Sequence, residues 1–206
     1  LTVYCPFMDN NGPGGALRIR TQLANLNLQH TDGFDFEVAY QAPLDAIGLP
    51  GDFGVRWLTT FVNSLSTTSA NSIVERAGSG VGGGMAKWVS NMNFTYRLGP
   101  STTNLQLRYT GDILADATLC GPGQACYDPA ASNSINLNQY PAMTYVDLSE
   151  QYDLGEVVGV GMQLFANVNN LLDKSEPALG LVAFVTGGDP YDKIGRTYKV
   201  GLRFDF

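Results

Sequence analysis

The sequence predicts an all-β fold, an antiparallel meander of about seven strands. Three observations predict it. Apolar and polar residues alternate over runs of about ten residues, segments rich in Gly, Ser, Asn and Pro separate the runs, and the connections alternate between short and long. Short turns at one end and long loops at the other are typical of an outer-membrane β-barrel. We therefore expect these strands to belong to a transmembrane β-barrel.

The final strand carries the clearest alternation. The segment RTYKVGLRFDF begins at Arg196, and its aromatic and aliphatic residues occupy every second position: Tyr198, Val200, Leu202, Phe204 and Phe206. Lys, Arg and Asp lie between them. Such a strand suits a boundary between hydrocarbon and an aqueous lumen better than the inside of a two-layer sandwich.

Six further strands follow from the same alternation. They are Phe34–Leu44, Phe53–Phe61, Trp88–Leu98, Leu105–Ile113, Val146–Leu154 and Val160–Asn169. Alternation also runs from Leu17 to Leu23 and shifts phase at Asn25 to Leu26, which predicts a β-bulge in one long strand that continues into Phe34. Glu150 is an exception, because it falls on the apolar side of its strand.

The connections separate into two kinds. Short connections follow Leu98, at Gly99 to Thr102, and surround Gly155. The segment Pro43 to Asp52 falls at the same end as these short turns in the alternation, but it is longer than they are. The long ones are Thr67 to Ala86, Ala115 to Met143 and Asp173 to Gly195. Aromatic residues are expected near strand ends, at the level of lipid headgroups. They are Tyr198, Phe204, Phe206, Trp57, Trp88, Tyr96 and Tyr152.

Composition excludes several classes of protein. The 206 residues include 12 Lys and Arg against 19 Asp and Glu, for a net charge of −7, which argues against a nucleic-acid partner. Charged residues make up only 15% of the chain. No apolar run approaches the roughly 18 residues of a spanning helix, so an α-helical membrane protein is excluded while a β-barrel is not.

The three cysteines predict one disulfide. Cys120 and Cys126 lie close together in a loop segment and are interpreted as a pair formed in an oxidising compartment, in preference to free thiols. A zinc site is disfavoured, because His30 is the single histidine and lies far away. Cys5 would need a partner elsewhere. The chain begins at Leu1 without a basic segment and an apolar run, which indicates a fragment or a processed chain.

Two segments carry a resemblance to a known family. FANVNNLLDKSEP (Phe165 to Pro177), followed by YDKIGRTYKVGLRFDF to the last residue, resembles the C-terminal end of TonB-dependent outer-membrane receptors. The likeness is strongest to the group from Caulobacter-like, Sphingomonas-like and Xanthomonas-like bacteria. ANLNLQHTDGFDFEVAYQAPL (Ala24 to Leu44) resembles the same family.

The resemblance implies more than the pattern does. Residues 1–206 would be the C-terminal portion of a barrel of about 22 strands, without the plug domain. The implied function is energised uptake of a scarce solute, such as a siderophore, cobalamin or an oligosaccharide, through the outer membrane of a Gram-negative bacterium. The implied partners are outer-membrane lipid, the inner-membrane TonB complex acting through the plug, the barrel-assembly machinery and a small-molecule substrate. Tyr198, Val200, Leu202, Phe204 and Phe206 resemble the signal that the assembly machinery recognises.

No catalytic constellation is found, so we expect no enzyme and no cofactor. One histidine, His30, leaves no Ser/His/Asp set, and it is interpreted as a polar ring facing the lumen beside the bulge. Gly78 to Gly84 lacks the Lys-Ser/Thr of a phosphate loop and is interpreted as a flexible outer loop. Asp189 and Asp192 are weak calcium ligands and favour a turn.

Charged residues on the polar sides of the strands are interpreted as an ion-pair ladder, with contact to the plug as the functional alternative. They are Arg56, Arg97, Arg108, Arg203, Asp112, Asp147 and Asp153. The three long connections are the candidate substrate contacts, and no individual substrate-binding residue can be named. Two other functions remain open. One is a passive porin or a small complete barrel, and the other is a soluble β-sandwich binding module.

Overall fold

The computed structural model describes residues 8–10, 17–19, 28–69, 72–80, 83–155, 161–175 and 191–205. Within these ranges the chain is all-β apart from one turn of 3₁₀ helix at Asp45–Ile47. The strands are β1 (Met8–Asn10), β2 (Leu17–Ile19), β3 (Leu28–Pro43), β4 (Asp52–Ser69), β5 (Ser72–Glu75), β6 (Trp88–Leu98), β7 (Ser101–Thr110), β8 (Ile113–Leu114), β9 (Gln139–Tyr140), β10 (Met143–Asp153), β11 (Gly161–Asn169) and β12 (Thr197–Asp205).

Seven long strands form one antiparallel sheet in chain order. The order across the sheet is β12-β11-β10-β7-β6-β4-β3, and β5 adds to β4 as a short eighth strand. Each long strand thus pairs with the next long strand along the chain, which confirms the predicted all-β antiparallel meander. The pairs β1–β2 and β8–β9 form separate two-stranded sheets. No helix in the described part of the chain is long and apolar enough to cross a membrane.

Several predicted boundaries were wrong. The turn after Leu98 has two residues rather than four, because Gly99 adopts a positive φ of 54° and Ser101 already pairs with Leu98. At its other end β7 stops at Thr110, and Ile113 belongs to β8. The break lies at Gly111, whose amide donates to the Trp88 carbonyl at 2.7 Å.

The strands β3 and β4, which form a hairpin, are longer than the other strands of the sheet. The two strands have 16 and 18 residues, against 9 to 11 in the other long strands of the sheet. Their register shifts between Asp32 and Gly33, where Asn63 is the extra residue of β4. The expected phase shift at Asn25 to Leu26 lies outside the described residues. Leu17–Ile19 pairs with Met8–Asn10 and not with the long sheet.

The connections alternate in length along the sheet. Residues 44–51, 99–100 and 154–160 join strands at one end, which we call the short end, and residues 70–87, 111–142 and 170–196 join them at the other, the long end. The first short connection is closed by a hydrogen bond from the Leu44 amide to the Gly51 carbonyl at 2.8 Å. Tyr96 Oη also donates to the Pro50 carbonyl at 2.8 Å.

The buried core lies at the long end and not behind the sheet. Ala86, Ile113, Ala115, Tyr140 and Tyr191 are buried together, with Val89 and Met143 packed against them. These residues come from all three long connections, so the connections fold onto one another. A smaller cluster of Val62, Leu65 and Ala77 packs the β5 segment onto the extension of β4.

Candidate functional site

The sheet has two faces of opposite character, as its cross-strand rows demonstrate. One row takes a residue from each long strand and is wholly apolar or aromatic: Tyr40, Val55, Phe94, Leu105, Leu148, Val168 and Tyr198. The adjacent row, one residue further along each strand, points to the other side and contains no large apolar residue: Gln41, Gly54, Thr95, Asn104, Ser149, Asn167 and Lys199. We call these sides the apolar face and the polar face.

The apolar face is not covered by any second layer of described residues. Tyr198 and Val200 of β12 are 69% and 71% exposed, and Phe34 of β3 is 62% exposed. Aromatic rings contact one another along this face, with Phe34 and Phe61 centroids 5.2 Å apart and Phe36 and Trp57 centroids 5.6 Å apart. A continuous apolar surface across seven strands exceeds what a soluble monomer leaves open to water.

Two polar groups on the apolar face, the Glu150 carboxylate and the Trp57 indole N–H, each have hydrogen-bond partners on that face. Glu150, the exception in the sequence pattern, accepts hydrogen bonds from Ser101 Oγ at 2.5 Å and Thr103 Oγ1 at 2.6 Å. Trp57 donates its indole N–H to Ser90 Oγ at 2.8 Å. Trp57 was expected near a strand end, and that expectation was wrong, because β4 extends well beyond Phe61 and leaves Trp57 level with Val38 and Met92.

The polar face carries ion pairs and hydrogen bonds between neighbouring strands. Arg56 Nε donates to Glu37 Oε1 at 2.8 Å, and Thr60 Oγ1 donates to Asp35 Oδ1 at 2.6 Å. Arg108 makes two hydrogen bonds to Asp147, at 2.5 and 3.2 Å.

The expected ion-pair ladder is only partly present. Arg108 and Asp147 pair, but Arg56 pairs with Glu37, which the sequence analysis did not include. Arg97 and Arg203 form no ion pair with another described residue. Asp112 accepts from Gln139 Nε2 at 3.4 Å, across the second long connection, and Asp153 accepts from the Gly155 amide at 2.8 Å, in a local turn.

The third long connection, residues 170–196, is fixed at both ends by residues of β10. Asp147 Oδ1 accepts from the Asn170 amide at 2.8 Å, and Tyr145 Oη accepts from the Asp192 amide at 3.0 Å. We call Asp147 and Tyr145 the two anchors of this connection. Arg108 contacts both, because it donates a hydrogen bond to Asp147 and its guanidinium carbon lies 5.3 Å from the Tyr145 ring centroid. One arginine on the polar face therefore supports both ends of this connection.

Asn170 and Asp173 complete the base of the same connection. Both have a φ of 52°, a conformation that Asn and Asp tolerate better than most residues. The Asn170 side chain is fully buried and bonds the Lys174 amide and carbonyl, each at 2.9 Å. Asp173 Oδ1 accepts from the Arg196 amide at 3.0 Å, which joins the start of the connection to its end. The structure thus gives a local role to the Asn and Asp residues at positions 170 and 173 of the NVNNLLD segment.

A single carboxylate organises the first long connection. Glu75 accepts from the amides of Leu65 at 2.7 Å and Ala77 at 2.9 Å, and from Ser64 Oγ at 2.7 Å. These donors, with that of Leu65 the largest contributor, lower the pKa of Glu75 from 4.5 to about 2. Glu75 therefore holds the segment after β5 against β4, a role that the sequence analysis missed.

The glycine-rich segment is tied to the second long connection. The Gly80 amide donates to the Leu114 carbonyl and the Leu114 amide to the Gly78 carbonyl, both at 2.7 Å. Ser79 between them is completely buried. Gly84 passes so close that a Cβ there would lie 2.4 Å from the Ser79 carbonyl oxygen. In the described part of the segment Gly78 to Gly84, the glycines therefore allow close backbone packing. The sequence analysis expected a flexible outer loop, which would not need these contacts.

The second long connection contains the disulfide and a cavity. Cys120 and Cys126 are bonded, with Cα atoms 5.8 Å apart. Beside them lies a cavity of about 290 Å³ whose lining residues include Gln124, Asn136 and Gln139. Asn138 anchors its base, donating to the Asp116 and Leu119 carbonyls at 3.0 Å. Cys5 lies outside the described residues.

The structure describes four of the five residues of the expected C-terminal assembly signal, and it describes His30. The Tyr198, Val200, Leu202 and Phe204 side chains share one exposed side of β12, and Phe206 lies outside the described residues. Alternation along β3 puts His30 on the side of Phe34, opposite to the polar side expected, with Nε2 3.6 Å from Asp32 Oδ1.

The calcium and metal candidates gain no support. Asp192 Oδ1 accepts from the Ile194 amide at 3.0 Å, as a turn residue does, while Asp189 lies outside the described residues. No group of three or more His, Cys, Asp or Glu suited to a metal occurs among the residues described.

Comparison of the chain with protein-family models, with curated proteins and with solved structures found no match.

Proposed function

We propose that this chain is part of the β-barrel of a TonB-dependent receptor in the outer membrane of a Gram-negative bacterium. The observation that carries the proposal is the apolar face, which reaches across all seven long strands and is not covered by described residues, while the opposite face is mainly polar. Lipid is the solvent in which such a face is stable, and an aqueous lumen suits the hydrogen-bonded polar face. The alternation of short and long connections supports the same proposal.

The height of the apolar face fits a bilayer. On β4 it runs from Phe53 to Phe61, nine residues. At about 3.3 Å per residue and a tilt of about 40°, nine residues rise about 23 Å, close to the roughly 25 Å apolar band of outer-membrane barrels. Beyond Phe61 the hairpin is rich in Ser, Thr, Asn and Asp, as expected of a part that projects into water.

A receptor barrel also explains the open edges of the sheet. β3 and β12 are the edge strands among the described pairs, and a barrel of about 22 strands would supply neighbours for both. A β-sandwich would need a second layer over the apolar face. A small complete barrel or porin would need β3 and β12 to pair with each other, and no described pair joins them.

In this receptor the three long connections are the candidate solute contacts, and the cavity beside the disulfide offers an enclosed surface within the second of them. The barrel wall binds outer-membrane lipid, and β12 carries the signal for the assembly machinery. In receptors of this family the inner-membrane coupling complex acts through a plug domain.

Uptake by the intact receptor tests the function. In cells lacking the gene, growth on a panel of ferric chelates, cobalamin and oligosaccharides should fail for one solute and return when the gene is restored. Removing the coupling protein should abolish that growth again, because the plug stays closed. Growth that persists without the coupling protein would indicate a passive porin and would overturn the receptor proposal.

A further inference from the structure

A cavity of about 370 Å³ opens on the polar face over β3, β4 and β6, near the short end. Small residues leave the space: Ala39 of β3 and Gly54 of β4. No atom lies closer than 3.7 Å to the position that a Cβ on Gly54 would occupy. The polar residues among its lining are Gln41, Arg56, Thr95 and Arg97. We call it the Gly54 cavity.

The two arginines of the Gly54 cavity have donors to spare. Arg56 uses Nε to bond Glu37, which leaves its two terminal nitrogens. Arg97 makes no ion pair and no side-chain hydrogen bond with another described residue. A guanidinium group presents a planar fork of N–H donors that matches the oxygens of a carboxylate or a phosphate.

Thr95 adds a directed donor. Its hydroxyl oxygen accepts a hydrogen bond from Asn104 Nδ2 at 2.8 Å, so its own hydrogen is free to donate elsewhere. Gln41 contributes an amide from the opposite strand, in register with Gly54 and Thr95. The groups around this floor are therefore mainly donors, which is the chemistry of a site for an acceptor-rich ligand.

The acids close to the cavity do not neutralise it. Glu37 is occupied by Arg56 Nε. Asp52 is opposite Arg97 in the register of β4 and β6, yet it forms no ion pair with Arg97 and does not line the cavity. In a chain with a net charge of −7, a cavity lined by two arginines and no carboxylate is distinctive.

We propose that the Gly54 cavity binds an oxyanion, a carboxylate or phosphate group, held by Arg97, the terminal nitrogens of Arg56 and the Thr95 hydroxyl. The site is built by three adjacent strands and goes beyond the proposed receptor function, because it does not depend on what covers the apolar face. The oxyanion belongs either to a free solute or to an acidic side chain of a polypeptide segment lying against the polar face.

Calorimetric titration of the full 206-residue chain, folded in detergent, tests the site. The probes are inorganic phosphate, citrate and a capped tetraglutamate peptide. We expect saturable binding of at least one probe, weakened by added salt. Binding of citrate or phosphate would identify the ligand as a free solute, and binding of the peptide alone would identify a polypeptide carboxylate. Binding of none would overturn the proposal.

Three variants locate the binding. Arg97→Gln should weaken it about tenfold or more, as expected when a charged hydrogen-bond donor is lost. Gly54→Val should abolish it by filling the floor while both arginines stay, and valine is well suited to a strand. Arg203→Gln is the matched control, because Arg203 is also on the polar face without an ion-pair partner among described residues, and it should leave binding unchanged. Equal loss in R203Q and R97Q would indicate nonspecific attraction and overturn the site.

Discussion

Replacing Arg108 with glutamine should loosen both ends of the connection at residues 170–196. Arg108 makes two hydrogen bonds to Asp147, which in turn holds the Asn170 amide. It also lies over Tyr145, which holds the Asp192 amide.

The magnitude follows from the burial of the pair. Side-chain exposure is 37% for Arg108 and 13% for Asp147, so the aspartate is left nearly buried when its partner is removed. Breaking a fully buried pair costs about 3–5 kcal/mol and an exposed pair less than about 1 kcal/mol. For this intermediate case we expect a loss of about 2 kcal/mol, confined largely to the base of the connection.

Hydrogen exchange followed by mass spectrometry measures this loss. Peptides that contain the Asn170 and Asp192 amides should exchange roughly 30-fold faster in R108Q than in wild type, which is what about 2 kcal/mol corresponds to if exchange follows local opening. Arg56→Gln serves as the control, because the Arg56–Glu37 pair is exposed and touches neither anchor. Unchanged exchange at both amides in R108Q would refute the proposed support of the connection by Arg108.

Three further outcomes follow from single contacts. The low pKa of Glu75 means that its ionised form stabilises the segment after β5 above about pH 4.5, and this stabilisation is lost as the pH falls towards 2. A shift from 4.5 to about 2 would correspond to about 3 kcal/mol, reduced by solvent screening to about 1 kcal/mol. The protection factor of the Ala77 amide, which is the intrinsic exchange rate divided by the observed rate, should therefore fall in acid, and E75Q should remove that pH dependence. Gly201→Ala should lower the urea midpoint by an amount equivalent to about 1 kcal/mol, because its Cβ would lie 2.5 Å from Phe165 Cζ, and F165L in the same chain should restore the midpoint. Ser90→Ala should cost about 1–2 kcal/mol by leaving the Trp57 indole N–H without its acceptor, and an unchanged unfolding midpoint would show that the bond contributes nothing.

Local pattern was sufficient to predict the long strands. Alternation with a period of two is a property of each strand alone, and it predicted Trp88–Leu98 at its observed bounds. It failed where both sides of a strand are polar. The extension of β4, with the sequence NSLSTTS from Asn63, has little contrast between its sides, so its strand character comes from pairing with β3 and β5.

The anchors of the long connections could not be predicted in the same way. Arg108, Tyr145 and Asp192 come together only because β7 and β10 are neighbours in the sheet and residue 192 returns to them. The one local signal was the pair of Asn and Asp residues in the NVNNLLD segment, which favour positive φ. Glu75 gave no signal at all, because most of its donors are backbone amides, which any sequence supplies.

The most direct test of the lipid-facing assignment uses the two tryptophans of the chain. Both lie on the apolar face, and Phe61, the partner of Trp88, is four residues from Trp57 along β4. That separation is about 13 Å along the strand and about 10 Å in depth at a tilt of about 40°. Single-tryptophan chains, W88F and W57F, should be reconstituted in vesicles whose lipids carry bromine midway along the acyl chain. We predict strong quenching of Trp57 and weaker quenching of Trp88; if the folded chain associates with the vesicles and neither tryptophan is quenched, the apolar face is covered by protein and not by lipid.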